Sequence, residues 1–426
     1  MKIEKYSIGI GDRFGVEGVA QLRALQKAER RGLSIVPVWN KSNREHLIIG
    51  SSQANTREEA DDVVLKCNWR KSYYVDADHI NLSNVGKFVD SSDFFTIDVA
   101  NYIGKYPGEQ LVKSFLHKVE QYKGILLIPG MEYQVKITDD LLNQIANNYI
   151  YSIQEAGKIY RYIAEMKGTN NFVTEISMDE TSNPQTPVEL FFILAAIGYE
   201  GIPIQTIAPK FSGAFLKGID YVGDVDHFKS EFENDLAVLK YSMKLFDLPE
   251  NLKISIHSGS DKFSLYPIIH QAINKYDLGL HLKTAGTTWL EEVIGLAASG
   301  GDGLALAKEI YASALQRYDE LCEPYSSVIN INKEQLPIPK VVECWSSQEF
   351  VESLQHNKSC ELYNPSFRQL IHIGYKIAAE IGPRFKHLLN ECRSSVEFNV
   401  TMNIFNRHIQ PLFIGDRLSE KMNGSA

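Results

Sequence analysis

The segment Tyr73–Leu82, YYVDADHINL, places two acids and a histidine where an apolar run ends. If Asp76 and Asp78 share one face of a strand, His79 begins the turn that follows it. A carboxylate beside an imidazole can supply a base and a metal ligand together. Helix capping would explain one aspartate, but it would not explain Asp-x-Asp-His. The pattern therefore favours a functional site here.

A second histidine opens a small polar turn. Lys253–Phe263 reads KISIHSGSDKF, so His257 ends a strand and is followed by Ser–Gly–Ser. Such a turn presents backbone N–H groups that can hold an anion, although a strand-capping turn is the alternative. The residues predicted to line the substrate site there are Ser258, Gly259, Ser260 and Asp261. Two histidines at two strand ends, His79 and His257, are typical of metal ligands.

A third segment supplies further acids. Asn171–Thr181 reads NFVTEISMDET, and its period-two spacing puts Glu175 and Asp179 on one face. A buried carboxyl group is costly unless it is paired, so one of these two is expected to meet a cation or a substrate. Glu180, on the loop that follows, is better placed to move protons, unless it is an ordinary solvated acid.

Several isolated residues lie where strand ends are expected. Arg13 in GDRFG, Lys210 in APKFSG and Lys283 in HLKTAG could each bind a substrate carboxylate. His227 in GDVDHF is the candidate for a third metal ligand, the alternative being an exposed histidine in a first helical turn. His281 could be a ligand, but we favour a buried, hydrogen-bonded core residue.

Eight short β-rich runs, most of them followed by a helical pattern, must position these residues. Strands that alternate with helices imply parallel pairing, and eight such units predict a (β/α)8 TIM barrel with its chemistry at the carboxyl ends of the strands. The runs are Tyr6–Ile10, Ser34–Trp39, Tyr73–Asp76, Phe94–Asp98, Phe172–Met178, Pro203–Pro209, Lys253–His257 and Gly279–Thr284.

Two segments fall outside this repeat. An insertion at about 101–170 contains the apparent hairpin Gly124–Pro129 and Glu132–Ile137, expected near the barrel mouth as a cover. Gly124–Pro129 could instead be a barrel strand, which would shift the strand count by one. We predict a barrel domain over 1–332 and a helical C-terminal extension, 333–426, packed on it.

Composition restricts the classes of function. The 426 residues are 44% hydrophobic and carry a net charge of −9, with no Lys/Arg-rich run that would favour nucleic-acid binding. There is no apolar run of 18 residues, no apolar leader and no CxxC pair among the five cysteines. These features predict a cytoplasmic protein that does not enter membranes, and a homo-oligomer is compatible with them.

Several long runs resemble the tagaturonate epimerase family. They read EISMDET, QTPVELFFILAAI, TIAPKF, GIDYVGD, HSGSDKFS and HLKTAGTTWLEE. The resemblance implies an isomerase that interconverts tagaturonate and fructuronate, small keto sugar acids of hexuronate breakdown, with a divalent metal cation.

The strand ends also resemble those of class II (zinc) aldolases. That resemblance implies that Asp78 shuttles a proton and that His79 and His257 bind zinc or another transition metal. Glu175 and Glu180 match the aldolases' catalytic acids only loosely. The chain departs from the family at the sixth strand, where PKFSGAF replaces a histidine motif, so the third ligand is left open among His227, His281 and an acid.

The two resemblances together imply retro-aldol chemistry, because the hydrogen at a carbon β to a ketone is not acidic. In that scheme Asp78 is the base, Glu180 is the acid and Glu175 is the reserve. Two alternatives stay open: a true aldolase that releases its two fragments, and a non-catalytic sugar-acid sensor.

Overall fold

The computed structural model describes residues 1–284 and 286–415 of the chain. Eight of its strands form a closed parallel barrel, in the order β1-β10-β9-β8-β7-β4-β3-β2, and the predicted TIM barrel is confirmed. The strands described are β1 (Tyr6–Gly9), β2 (Val36–Ser42), β3 (Tyr74–Ile80), β4 (Phe94–Asp98), β5 (Gly124–Leu126), β6 (Val135–Ile137), β7 (Val173–Ser177), β8 (Thr206–Ala208), β9 (Lys253–His257) and β10 (Leu280–Lys283).

Helices surround the barrel and continue beyond it. The α-helices described are α1 (Gly18–Arg30), α2 (Asn43–Ile49), α3 (Gln53–Lys66), α4 (Glu109–Val119), α5 (Asp139–Lys167), α6 (Pro187–Glu200), α7 (Val225–Leu245), α8 (Tyr266–Tyr276), α9 (Gly286–Ala298), α10 (Gly301–Gln316), α11 (Tyr318–Cys322), α12 (Pro339–Glu343), α13 (Ser347–Leu354), α14 (Pro365–Ile373), α15 (Tyr375–Ile381), α16 (Pro383–Glu391) and α17 (Arg393–Met402). A π-helix, Asn403–Ile414, follows α17. Within the described ranges, no helix combines the length and apolar character needed to cross a bilayer.

Local sequence signals explain where these helices begin and end, and α6 illustrates them. Thr186 caps its start in a reciprocal capping box with Glu189, and Pro187 occupies the first turn. The helix ends at Gly201, whose φ of +73° suits a residue without a side chain.

Period-two alternation builds layers inside the barrel. Along β4, Phe94 lies beside the His281 ring, with centroids 5.3 Å apart, and Thr96 hydrogen-bonds to Asp76 from β3. Asp98 is the next residue on that face. The inner layers are therefore first apolar, then polar, and they lead up to an acidic group at the mouth.

The insertion contains the predicted antiparallel hairpin, β5 with β6, but it does not lie over the mouth. The Tyr276 hydroxyl, at the end of α8, donates to the Gly130 carbonyl at 2.9 Å, and the Glu132 N–H donates to Asn234 in α7 at 3.2 Å. Helices run antiparallel to the strands of such a barrel, so the end of α8 lies at the amino ends of the strands. The expectation that this hairpin covers the active site is therefore wrong.

The C-terminal extension packs on the barrel through helix–helix contacts. Gly295 in α9 lets α17 approach closely, since a Cβ there would lie 2.6 Å from the Cα of Val396. The Trp289 indole N–H donates to the Ile371 carbonyl at 2.8 Å. Gly374 separates two consecutive helices of the extension, α14 and α15. Residues 416–426 of the predicted extension lie outside the described residues.

A buried ion pair fastens this extension to the barrel. The guanidinium of Arg368 in α14 lies 2.6 Å from the Asp261 carboxylate, and both side chains are fully buried. His356 adds a contact of 3.0 Å to the same carboxylate. Such a pair is costly to break because the remaining charge stays buried without a partner.

We expect the substitution Arg368→Met to lower the free energy of unfolding by about 3–5 kcal/mol, because Asp261 then stays buried without its partner. The matched control is Arg384→Met, which removes an exposed ion pair with Glu309 and should cost less than about 1 kcal/mol. Urea unfolding followed by circular dichroism measures both. Equal losses for the two variants would contradict this account.

Candidate active site

A bulge in β3 brings two neighbouring side chains to the mouth. In a regular strand, Asp78 and His79 would point to opposite faces. The register against β4 shifts between Ala77 and Ile80, and His79 adopts a φ of +53°, a conformation uncommon for residues other than glycine. The bulge lets both side chains face the barrel axis, where Asp78 meets Lys283 at 2.8 Å.

The floor of the site is a layer of buried charges around one ammonium group. Lys283 Nζ lies 2.8 Å from both Asp76 and Asp78 and 3.2 Å from Glu175, and it bonds Thr96 at 2.5 Å. Burial raises the pKa of Asp76 to about 7, despite Lys283 beside it. Burial also opposes ionisation of Asp78 and Glu175, but Lys283 holds the pKa of each well below its usual value. The predicted shared face of Asp76 and Asp78 is confirmed.

Each of two histidines is oriented by a carboxylate from this layer. His79 Nδ1 lies 2.8 Å from Asp78, and His257 Nε2 lies 2.9 Å from Glu175. Their other ring nitrogens, His79 Nε2 and His257 Nδ1, are buried without hydrogen-bond partners. These two atoms lie 3.5 Å and 3.1 Å from the same oxygen of Asp179. A carboxylate behind each imidazole fixes the tautomer that leaves the inner nitrogen free for a metal.

The donor set fits a divalent transition metal. The ligating atoms of His79, His257 and Asp179 all lie within 4.8 Å of one another. Ligands about 2.0–2.2 Å from a tetrahedral zinc ion stand about 3.3 Å apart, close to the separations found here. Burial opposes protonation of His257, but Asp179 raises its pKa to about 9, so this pocket attracts positive charge. Two imidazoles and a carboxylate leave a coordination position open, as catalytic zinc sites do.

The structure corrects the choice of third ligand. His227 is exposed in the first turn of α7, where its N–H donates to the Asp224 cap at 3.0 Å, and it is outside the cluster. His281 is fully buried in the barrel and hydrogen-bonds to Ser7 at 2.9 Å, as we favoured. Burial lowers its pKa to about 3, so it is a neutral core residue. Asp179, an acid left open by the sequence, completes the candidate cluster.

The side chains of the turn after β9 are buried beneath the site and hydrogen-bond to neighbouring backbone. Ser258 donates to the Lys283 carbonyl at 2.8 Å, and Ser260 accepts the Gly218 N–H at 2.9 Å. Asp261 is fully buried against the extension. The predicted substrate contacts of Ser258, Ser260 and Asp261 therefore do not fit, because these side chains are enclosed and already hydrogen-bonded.

The three cations predicted to bind substrate have different surroundings. Lys283 is enclosed by carboxylates, so it is not free to bind a substrate. Lys210 is half-buried, and its backbone N–H donates to Gln185 at 2.7 Å. Arg13, 7% exposed, lies 3.8 Å from the centroid of the Tyr375 ring. The Arg13 guanidinium is therefore held against an aromatic surface and is not enclosed by carboxylates.

Asp98 is a further acid at the mouth that the sequence motifs did not single out. It ends β4 on the face of Thr96 and accepts the Ala100 N–H at 2.9 Å. Burial raises its pKa, and the charges of Glu180 and Asp179 act in the same direction. Glu180 is exposed on the loop after β7, as predicted. Asp98 could have been found by applying the strand-end rule to β4, whose last residue was predicted correctly.

An eight-stranded parallel barrel with two carboxylate-oriented histidines at its carboxyl ends defines a TIM-barrel enzyme. The sequence model of the UxaE family, described as tagaturonate epimerase, matches residues 1–404. The chain therefore belongs to the tagaturonate epimerase family and is an epimerase, an enzyme of the isomerase class.

Individual relatives agree with this assignment. The tagaturonate/fructuronate epimerase of Thermotoga maritima is 27% identical over 382 residues, which cover 87% of this chain and 72% of the relative. Crystal structures of fructuronate-tagaturonate epimerase UxaE from Cohnella laeviribosi have the same fold. One glycerol complex superposes with a TM-score of 0.80 at 24% identity, covering 97% of this chain and 82% of that chain. A second superposes with a TM-score of 0.77 at 25% identity, covering 96% and 82%.

We predict that Asp76→Asn changes how stability depends on pH. As pH rises from about 4 to about 7, unfolded Asp76 loses its proton while the folded residue keeps it, so the wild type loses stability across that window. Asparagine does not titrate. The unfolding free energy of the variant minus that of the wild type should therefore increase between pH 4 and 7 and stay constant above pH 7.

Chelator-treated protein unfolded in urea at several pH values measures this difference. Asp319→Asn is the control, because the Asp319 side chain is 90% exposed. A difference that stays flat, or that moves toward the wild type as pH rises, would show that Asp76 is ionised in the folded protein.

Proposed function

We propose that this protein interconverts D-tagaturonate and D-fructuronate, using a divalent cation held by His79, His257 and Asp179. The observation that carries the proposal is the convergence of two free imidazole nitrogens on one carboxylate oxygen at the barrel mouth. Membership of the tagaturonate epimerase family supports the substrate. The five cysteines are all free, as is typical of proteins in the reducing cytoplasm.

Retro-aldol cleavage followed by aldol addition is the route we propose. The two keto acids differ at a hydroxyl-bearing carbon β to the ketone, whose hydrogen is not acidic. When a base takes the β-hydroxyl proton, the bond between the α and β carbons can break. Its electron pair stays on the ketone half, and the β carbon becomes an aldehyde. Rotation of this aldehyde and re-formation of the same bond on its other face give the epimer.

A bound cation would supply positive charge next to the ketone oxygen, where negative charge develops during cleavage. Asp78 and Glu175 keep the inner nitrogens of His79 and His257 available for that cation. Asp78 is therefore a positioning residue in this proposal and not the base, because Lys283 keeps its pKa low. Glu175 is fully buried and bonded to His257 and Lys283, so we assign it a positioning role in place of the reserve acid.

Two proton-transfer groups are needed, since the oxygen on the β carbon loses its proton on one side of the site and, after the aldehyde rotates, regains a proton on another. Glu180 and Asp98 lie at the mouth on neighbouring strand ends, and the charge of Glu180 influences the pKa of Asp98. The raised pKa of Asp98 makes its carboxylate a stronger proton acceptor than an ordinary aspartate. We assign one of the pair to remove the proton and the other to return it, with the roles exchanged in the reverse direction.

Treatment with a chelator should abolish the conversion of tagaturonate to fructuronate, and adding back divalent ions one at a time should restore it. His79→Ala and His257→Ala should each lower both bound metal and activity at least about 100-fold, because each removes a ligand. The matched control is His117→Ala, whose side chain is 88% exposed. Product NMR and metal analysis are the measurements.

The same assay run in deuterium oxide tests the route. The β carbon keeps its hydrogen throughout cleavage and re-formation, so the product should carry no deuterium there. Deuterium at that carbon would exclude the retro-aldol route, whereas unaltered activity after complete metal removal would overturn the metal site.

Asp98→Asn and Glu180→Gln should each lower kcat by about 10²–10⁴-fold while leaving bound metal unchanged, because they remove a proton-transfer group and no ligand. Asp78→Asn should instead weaken metal binding by about 10–100-fold, because it frees His79 to rotate. Metal titration combined with steady-state kinetics separates the two effects. Loss of metal from Asp98→Asn would assign that residue to the metal site instead.

A further inference from the structure

Three cations from different loops gather around one pair of tyrosines. Arg13, in the loop after β1, lies 3.8 Å from the Tyr375 ring centroid. Arg44, in α2, and Lys217, in the loop after β8, lie 4.9 Å and 5.6 Å from the Tyr325 ring centroid. The two tyrosine hydroxyls hydrogen-bond to each other at 2.9 Å, so the three cations surround one aromatic unit.

The positive charge of this group is not balanced within the described chain. Glu45 lies 3.7 Å from Arg13, and among the described residues no carboxylate lies within 4.0 Å of Lys217 or Arg44. Arg13 Nε is buried without a hydrogen-bond partner. Burial lowers the pKa of Lys217, and the charges of Arg13 and Arg44 act in the same direction, against those of Glu45 and Glu180. An anionic ligand would relieve the repulsion among the cations and complete the hydrogen bonds.

The group lies beside the candidate metal site. A Cβ on Gly259, two residues after the ligand His257, would lie 3.9 Å from the Lys217 side chain. On the other side, the charge of Glu180 acts on Lys217, and Glu180 directly follows the ligand Asp179. A substrate at the cation can therefore extend toward Lys217.

The backbone around Lys217 is fixed in advance. Its N–H donates to the Val328 carbonyl at 2.8 Å, and its carbonyl accepts from the Gln369 side chain at 2.9 Å. The neighbouring Gly218 carbonyl accepts from Arg368 at 2.6 Å. A side chain on so restrained a backbone loses less entropy when it binds a ligand.

We propose that Arg13, Arg44 and Lys217 form the subsite that binds the carboxylate of the substrate. The proposal rests on the keto sugar acid proposed above and identifies where its charged end binds. Lys217 and Arg44 take the place of Lys210 and Lys283 among the predicted carboxylate ligands, and Arg13 keeps its predicted role.

A subsite that binds the substrate carboxylate would also retain one of the two fragments after cleavage. Cleavage between the α and β carbons leaves the carboxylate on the aldehyde half, which holds no metal-binding ketone. Arg13 and Lys217 would retain that half by its far end while the aldehyde rotates. A weakened subsite should therefore release three-carbon fragments in place of the epimer.

The test uses the metal-loaded enzyme and compares tagaturonate with D-tagatose, its neutral counterpart, by calorimetry. The wild type should bind the acid at least about tenfold more tightly. Lys217→Met should weaken binding of the acid at least about tenfold while changing that of tagatose less than about twofold. Lys217→Arg should retain most of the affinity for the acid. The matched control is Lys118→Met, which removes an exposed lysine 5.0 Å from the Tyr199 ring centroid.

Equal weakening of both sugars in Lys217→Met, or no preference for the acid in the wild type, would overturn the subsite. Free three-carbon fragments, trapped during turnover, should rise relative to epimer in Lys217→Met and stay unchanged in Lys118→Met. Because the calorimetry does not require turnover, a protein that prefers the acid but does not epimerise it would retain the subsite and refute the proposed function.

Discussion

The buried ammonium of Lys283 is the interaction on which the site depends. Three carboxyl groups inside a barrel would be costly without a counter-ion, and Lys283 contacts all three within 3.2 Å. It keeps Asp78 and Glu175 ionised, so that they can orient His79 and His257. The free nitrogens of those histidines face Asp179 only because this layer is in place. The geometry of the proposed metal site is thus set by the layer of charges directly below it.

The C-terminal extension helps to position the cations at the rim of the barrel, as Lys283 helps to position the histidines. Tyr325 lies just beyond the barrel helices, and Tyr375 lies within the extension itself, so the aromatic unit that gathers the cations is not part of the barrel. The Arg368–Asp261 pair joins the extension to the turn after β9 and restrains Gly218, next to Lys217. The position of the rim therefore depends on how the extension packs against the barrel. That coupling explains why Asp261, placed by sequence beside a functional histidine, has a supporting task.

The barrel was predictable because each strand carries its own signal in a short apolar run that ends in polar residues. The inward residues of β3, β7 and β9 followed from period two, which brought His257 and Asp179 into consideration. The bulge at His79 could not be predicted from this pattern, because it depends on how β3 pairs with β4. Lys217 could not be found, since its surroundings come from segments more than a hundred residues away, such as Val328 and Gln369. The hairpin was found but misplaced, because local sequence does not say which barrel end a loop packs against.

An aldolase and an epimerase of this design differ only in the fate of the cleaved fragments. In the proposed mechanism, the bound cation, the oriented histidines and the proton-transfer acids would serve carbon–carbon cleavage in both. Retention requires that each half stay bound separately once the bond is broken. The ketone half would be held through the cation, and the carboxylate is the only charged group by which the aldehyde half could be held. A rim with excess positive charge is therefore the feature that would allow this barrel to invert the configuration of one substrate carbon and not simply cleave the substrate into two fragments.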